Sequence, residues 1–224
     1  MRFAFAVLIL LFNNVIIVWA QQAQISFIPK WQNRVLELGK YYPIANIDSI
    51  KFDAVKFYIT DISLWNQGKQ VYVDPTKYHL IDLELNNKVS LNLPSKLPYD
   101  TIQFLIGTDS AANSSGAMAG DLDAMYGMYW AWQSGYINVK IEGSSSVCKT
   151  RKNAFQYHLG GFLSPNQTIQ QLAFATTSNS INVAILIDSM LQPQSLMINP
   201  EVMSPSAQAV KQMQQFKQSF QLVR

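Results

Sequence analysis

The side chains best suited to chemistry fall in two short stretches. Residues 120–136 hold Trp130 and Trp132, Tyr126, Tyr129 and Tyr136, and Met125 and Met128. If Tyr129 to Tyr136 runs on as a strand, the two indoles share a face. Paired indoles offer a large apolar surface with N–H donors. That suits a packed core, a sugar-stacking platform, or a metal or redox site. The second stretch, Phe155-Gln156-Tyr157-His158-Leu159-Gly160-Gly161, sets a histidine at a strand end before two glycines. Imidazole is the commonest metal ligand. On a strand His158 shares its face with Gln156, while Phe155, Tyr157 and Leu159 take the other. His79, within Tyr78-His79-Leu80-Ile81-Asp82, is the second of only two histidines, which excludes a histidine-rich catalytic zinc site.

Other candidates carry less. Asp109, Asn113, Asp121 and Asp123 offer hard oxygens on one segment, but their spacing matches no EF-hand loop, and a solvated acidic loop is the expectation. Asp121 and Asp123 are also a carboxylate pair, though sequence spacing does not set the spatial separation that glycoside hydrolysis needs. Cys148 is the single cysteine, which excludes an internal disulfide and any multi-cysteine metal cluster. It lies beside Ser144-Ser145-Ser146 and Lys149 without an evident activating group. The sequence holds no G-x-S-x-G, no phosphate-binding P-loop and no H-E-x-x-H. No enzymatic role is expected.

The elements that must position these residues read as strands. Period-two alternation marks Ile25–Ile28, Val55–Leu64, Val89–Leu93, Tyr136–Ile141 and Ile181–Ile185. Shorter candidates are Tyr78–Leu83, Ile102–Ile106, Ala154–Leu159 and Ile169–Phe174. Asn66-Gln67-Gly68, Asp74-Pro75, Asn86-Asn87, Pro94 to Pro98 and Ser164-Pro165-Asn166 separate them as turns. Short strands with frequent turns predict an all-β fold, an antiparallel β-sandwich. Asp109–Gly127 is expected as a long functional loop. The C-terminus is expected as a helix capped by Ser204, with Pro205 in its first turn and Val210, Met213, Phe216 and Phe220 on the face that meets the sheet.

Composition sets outer bounds. The 224 residues are 49% hydrophobic, 12% aromatic and 14% charged, too apolar for a disordered chain. Seventeen Lys and Arg against fourteen Asp and Glu give +3 with no basic cluster, so no nucleic-acid partner is expected. Arg2, the apolar run Phe3–Phe12, its continuation Val15–Trp19 and the small Ala20 before Gln21 read as a secretory signal over 1–20. A single domain over 21–224 follows, without a membrane span once the signal is removed. The destination is the periplasm, the medium or the cell surface.

Gly127-Met128-Tyr129-Trp130-Ala131-Trp132-Gln133-Ser134-Gly135-Tyr136, closing at Ile141-Glu142-Gly143, resembles the MbnP-like copper-binding proteins. Phe155-x-Tyr157-His158-Leu159-Gly160-Gly161 is similar to the same family's aromatic-His-Leu-Gly element. Ile62-Ser63-Leu64, Tyr78–Asp82 and Ile102–Asp109 before Asn113 agree, so the resemblance spans nearly the whole mature chain. It implies an exported β-sandwich linked to copper acquisition. It further implies a di-haem, cytochrome c peroxidase-like partner that oxidises a tryptophan to kynurenine, which then binds copper together with histidine. Carried over residue by residue, His158 is the first ligand and His79 a possible second. Trp130 or Trp132 is the oxidisable indole. Met125 or Met128 would supply a thioether suited to Cu(I). Position 132 departs from related proteins that have a Trp-x-His histidine there, and Ala124 stands where proline is frequent. Without a metal, the same aromatic residues, Trp130, Trp132 and Tyr136, would instead serve a surface module that stacks on a glycan or a protein partner.

Overall fold

The structure, a computed structural model, describes residues 21–45, 48–94, 96–133 and 135–223. The segment read as an export signal, 1–20, lies outside the described residues. In chain order the strands are β1 (Gln21–Trp31), β2 (Arg34–Val35), β3 (Tyr41–Ala45), β4 (Asp48–Asn66), β5 (Lys69–Val73), β6 (Tyr78–Asp82) and β7 (Lys88–Leu93). Then come β8 (Thr101–Ile106), β9 (Ile137–Ser145), β10 (Ala154–Gly160), β11 (Gln170–Ala175), β12 (Ser180–Leu186), β13 (Glu201–Val202) and β14 (Phe220–Val223). Among the described residues three α-helices interrupt them: α1 (Ser110–Ser114), α2 (Pro193–Ile198) and α3 (Ala207–Gln218).

Among the described residues these strands form a five-stranded and a nine-stranded sheet. The small sheet runs β14-β12-β1-β2, with β7 also on β1. The large sheet is organised by β4, whose 19 residues reach across it. β9 and then β8 pair along one edge of β4, and β3, β6 and β5 along the other. The expected sandwich is present, antiparallel except at two pairings. β1 pairs with β12 and β10 with β13 in parallel. Strands this distant in sequence are not joined by a hairpin, so nothing forces them antiparallel.

Alternation explains the core. Ile25 and Phe27 of β1, Val89 and Leu91 of β7, and Val183 and Ile185 of β12 face Phe57, Phe104, Val139 and Tyr157 of the large sheet, all buried. Phe27 meets Phe57 and Phe104 edge-on at 5.8 Å each. Phe57 also meets Phe216 of α3 at 5.5 Å, so one ring ties both sheets to the helix.

The C-terminal helix starts two residues later than expected. Ser206, in extended conformation, caps it by accepting from the Ala209 amide at 3.1 Å. Met213 and Phe216 are buried as predicted. Phe220 lies beyond the helix, in β14, where it still packs on Phe216 at 5.1 Å. The expected long loop is folded locally: α1 and two single 3-10 turns, Gly120–Leu122 and Ala124–Tyr126, occupy it. Removing the ring that joins the layers should be costly. Phe57→Ala should lose about 3–5 kcal/mol in urea unfolding, and the exposed Trp132→Ala within about 0.5 kcal/mol. Equal losses would contradict this layering.

Candidate metal centre

The sheet register decides which candidates share a face. Asp82, Lys56, Lys140 and His158 are direct cross-strand neighbours on β6, β4, β9 and β10. They share the outer face of the large sheet with Tyr58 and Leu80. His79 alternates with Leu80 and pairs with Ile59, which belongs to the main core. The two histidines therefore lie on opposite faces. His79 Nε2 is 2.6 Å from Asp74 Oδ2, near the sandwich margin.

The outer face is covered by the segment between β8 and β9. Its own buried cluster holds Tyr58, Leu80, Leu122, Met128, Trp130 and Tyr136. This is why β4 loses its alternation around Tyr58: there both faces are dry. Burial pushes the Tyr58 phenol well above its ordinary pKa, and its hydroxyl donates to the Asp121 carbonyl at 3.2 Å. Buried amides pin the cover. Asn113 accepts from the Tyr136 amide at 2.7 Å and donates to the Asp109 carbonyl at 2.7 Å. Asn138 accepts from the Thr108 amide and donates to Thr168, each at 2.8 Å.

Trp130 and Trp132 are neighbours, but not as alternate residues of one strand. Tyr129 and Tyr136 form an isolated bridge, residues 131–133 turn between them, and the Trp130 amide donates to the Gly135 carbonyl at 2.9 Å. The rings lie 6.0 Å apart, with Trp130 5% and Trp132 69% exposed. The far edge of the Trp130 ring sits over Gly160. A Cβ there would lie 2.6 Å from Trp130 Cζ3, so only glycine admits the indole. Gly160 is two residues beyond His158 on the same face of β10. On the other side, Gly127 lies over Lys140, whose Nζ reaches the Gly127 carbonyl at 3.3 Å. Residues 127–130 thus cross the sheet from one neighbour of His158 to the other, with Met128 fully buried between.

His158 Nε2 is 2.6 Å from Glu142 Oε1, and Lys140 Nζ is 3.5 Å from the same oxygen. The His158 hydrogen bond, opposed by burial and aided by Lys140, holds the Glu142 pKa below the ordinary glutamate value. Trp130 Nε1 is buried and lacks a hydrogen-bond partner among the described residues. An unpaired buried donor costs about 1–3 kcal/mol, so packing alone does not favour this indole here. A cavity of about 480 Å³ opens beside it, lined by Trp130, Gln133, Tyr136, Phe162, Leu163 and Pro205.

Sequence reasoning singled out His158, Met128, Trp130 and Trp132, and the fold brings them to one region; His79 it places elsewhere. Met125 is exposed. Glu142 and Lys140 were missed. Their alternation with Ile141 put them on a polar face, but only the register sets them beside His158. The oxygen-rich candidates are spent on backbone. Asp109 caps α1, Asp121 accepts from the Leu80 amide at 2.8 Å, and Asp123 accepts from the Met125 amide at 2.9 Å. Cys148 is buried, which raises its thiol pKa. Among the described residues, no three His, Cys, Asp or Glu gather as a metal cluster, and no helix is long and apolar enough to cross a membrane. The imidazole of His158 and the thioether of Met128 are donors of the class copper takes, and they fit that metal better than a hard cation.

A family model described as MbnP matches residues 20–204. No curated protein sequence matches the chain. Among solved structures, MbnP from Methylosinus trichosporium is similar, with a TM-score of 0.63 over 86% of this chain and 88% of that one. At 15% identity, that likeness speaks for the fold.

The cover also predicts acid sensitivity. Burial raises the Asp109 pKa, but the Ala112 amide, Lys77 and Tyr78 outweigh it and leave it below the ordinary aspartate value. The stability this contributes is present above the unfolded aspartate pKa, about 4, and is lost as pH falls through the folded value. Asp109→Asn, which still caps α1, should flatten the acid limb of stability against pH in urea titrations. An unchanged limb would remove Asp109 from that account.

Proposed function

The chain belongs to the MbnP family, and on that premise we propose that it is an exported copper-binding protein rather than an enzyme. His158 is its imidazole ligand, with Trp130 as the indole whose oxidation to kynurenine completes the site. The observation that carries this reading is the placement of Trp130 over Gly160, on the face of His158, with its Nε1–H unpaired among the described residues. Met128, buried in the same cluster as Trp130, adds a soft donor. Copper, when bound, would supply affinity for imidazole, aniline and thioether ligands together. The chain's own part is to hold these groups in the dry layer between the large sheet and its cover, beside Tyr58 and Tyr136. Buried Trp130 is shielded from indiscriminate chemistry, whereas exposed Trp132 offers contact to an oxidising partner. A di-haem, cytochrome c peroxidase-like protein is the partner we propose, on family resemblance. The apolar, cationic-headed run over 1–20 supports export.

A second reading draws on two exposed residues, Leu163, which lines the cavity, and Trp132, which packs on the Trp130 ring that lines it. They would form a small platform for a glycan or a protein. Trp130 and Tyr136, buried, would not take part.

Protein purified from its native host distinguishes the two by metal content and intact mass. Near one equivalent of copper, with a mass change of one oxygen gained and one carbon lost, is expected. Trp130→Phe should abolish the mass change and weaken Cu(I) binding at least about 10-fold, a loss of about 1.4 kcal/mol, whereas Trp132→Leu should leave Cu(I) affinity unchanged once the site is formed. Neither copper nor mass change, in copper-replete cells, would favour the platform reading.

A further inference from the structure

We propose that Glu142 is a positioning residue for His158: it holds the imidazole in the Nε2–H tautomer and leaves Nδ1 as the nitrogen that meets a metal ion. The inference rests on the reading of His158 as a ligand.

Glu142 Oε1 lies 2.6 Å from His158 Nε2. An ionised carboxylate only accepts, so Nε2 must carry the proton. In a neutral imidazole the lone pair then sits on Nδ1, which has no hydrogen-bond partner among the described residues. Lys140, 3.5 Å from the same carboxylate oxygen, already balances the charge of Glu142. The carboxylate therefore has a cation of its own beside the imidazole nitrogen. Metal-binding histidines commonly donate their second N–H to a carboxylate, and loss of that partner typically weakens the metal about 10–100-fold.

Lys140 gives the arrangement a second purpose. Its ammonium reaches both Glu142 and the Gly127 carbonyl, 3.3 Å away. The carboxylate that orients His158 is thereby tied to the segment that carries Met128 and Trp130. The His79–Asp74 pair repeats the 2.6 Å contact on the opposite face, and among the described residues no lysine pairs with its carboxylate. It serves as an internal control.

The test uses the full chain from its native host, grown on ¹⁵N, with two-bond ¹H–¹⁵N correlation spectra of the imidazoles. In the metal-free protein, His158 is expected as Nε2–H. Cu(I), diamagnetic and added without oxygen, should shift Nδ1 of His158 and leave His79 unmoved. Glu142→Leu should mix the His158 tautomers and raise the Cu(I) dissociation constant about 10–100-fold. Glu142→Gln, which keeps an acceptor oxygen, should restore the tautomer and most of the affinity. The wild-type spectra read the tautomer and the metal-bound nitrogen even if a variant fails to fold. An Nδ1–H tautomer, a Cu(I) shift on Nε2, or full affinity in Glu142→Leu would overturn the proposal and leave the copper reading standing. A locked Nε2–H tautomer with no Cu(I) effect on His158 would overturn both the ligand role of Nδ1 and the copper reading of this histidine.

Discussion

The structure depends on keeping both faces of the large sheet dry around Tyr58. One face is covered by the small sheet and α3, as in any sandwich. The other needs a cover of its own, and the segment between β8 and β9 provides it. That segment is too short and too polar to form a third layer. It is held instead by a few buried aromatic rings and by amide side chains that substitute for missing strand pairing. Tyr58 and Tyr136 meet edge-on at 5.8 Å, and Tyr129 packs on Tyr136 at 5.0 Å. Asn113 and Asn138 bind backbone groups that a loop would otherwise leave unpaired, which matters because an unsatisfied buried amide forfeits more than a new contact gains.

A dry layer over a polar row is an unusual place to put charges. Asp82, Lys56, Lys140 and His158 run across four strands at its margin, and each is paired. Lys56 and Asp82 are 2.7 Å apart, and Glu142 serves both Lys140 and His158. Such pairs contribute little net stability once desolvation is counted. Their effect is geometric: they fix the side-chain orientations that an apolar row of equal volume would leave free. The Trp130 N–H, without a partner among the described residues, points the same way. A phenylalanine at this position would strand no donor, but it would lack the far indole edge that reaches Gly160.

The sequence disclosed the strands well and the site unevenly. Period-two runs survive wherever one face is wet, as along Lys88–Leu93, whose burial alternates without fault. Where both faces are covered, burial no longer follows the alternation, so Phe57, Tyr58, Ile59 and Thr60 of β4 are buried in succession. The two-residue β2 and β13 carry too few residues for any period. The helix start was misplaced because Ser204 and Ser206 flank the same proline, and only backbone conformation shows which hydroxyl reaches the Ala209 amide. His158 and Trp130 were legible by residue type and neighbouring glycines. Glu142 was not, because its partner is sixteen positions away in sequence and is set by register.

Register also accounts for the different fates of similar residues. Both histidines hold a carboxylate at 2.6 Å, yet only one lies under the aromatic cover, since a shift of one residue along a strand exchanges the faces. The two tryptophans differ for a related reason. A continuous strand would have given them equal burial; the turn at residues 131–133 rotates one outward and leaves the other over Gly160. The Trp-x-Trp spacing therefore delivers a sheltered indole and a solvent-facing one in contact with it. One short turn thus gives two adjacent residues of the same type opposite environments, one sheltered from water and one open to it.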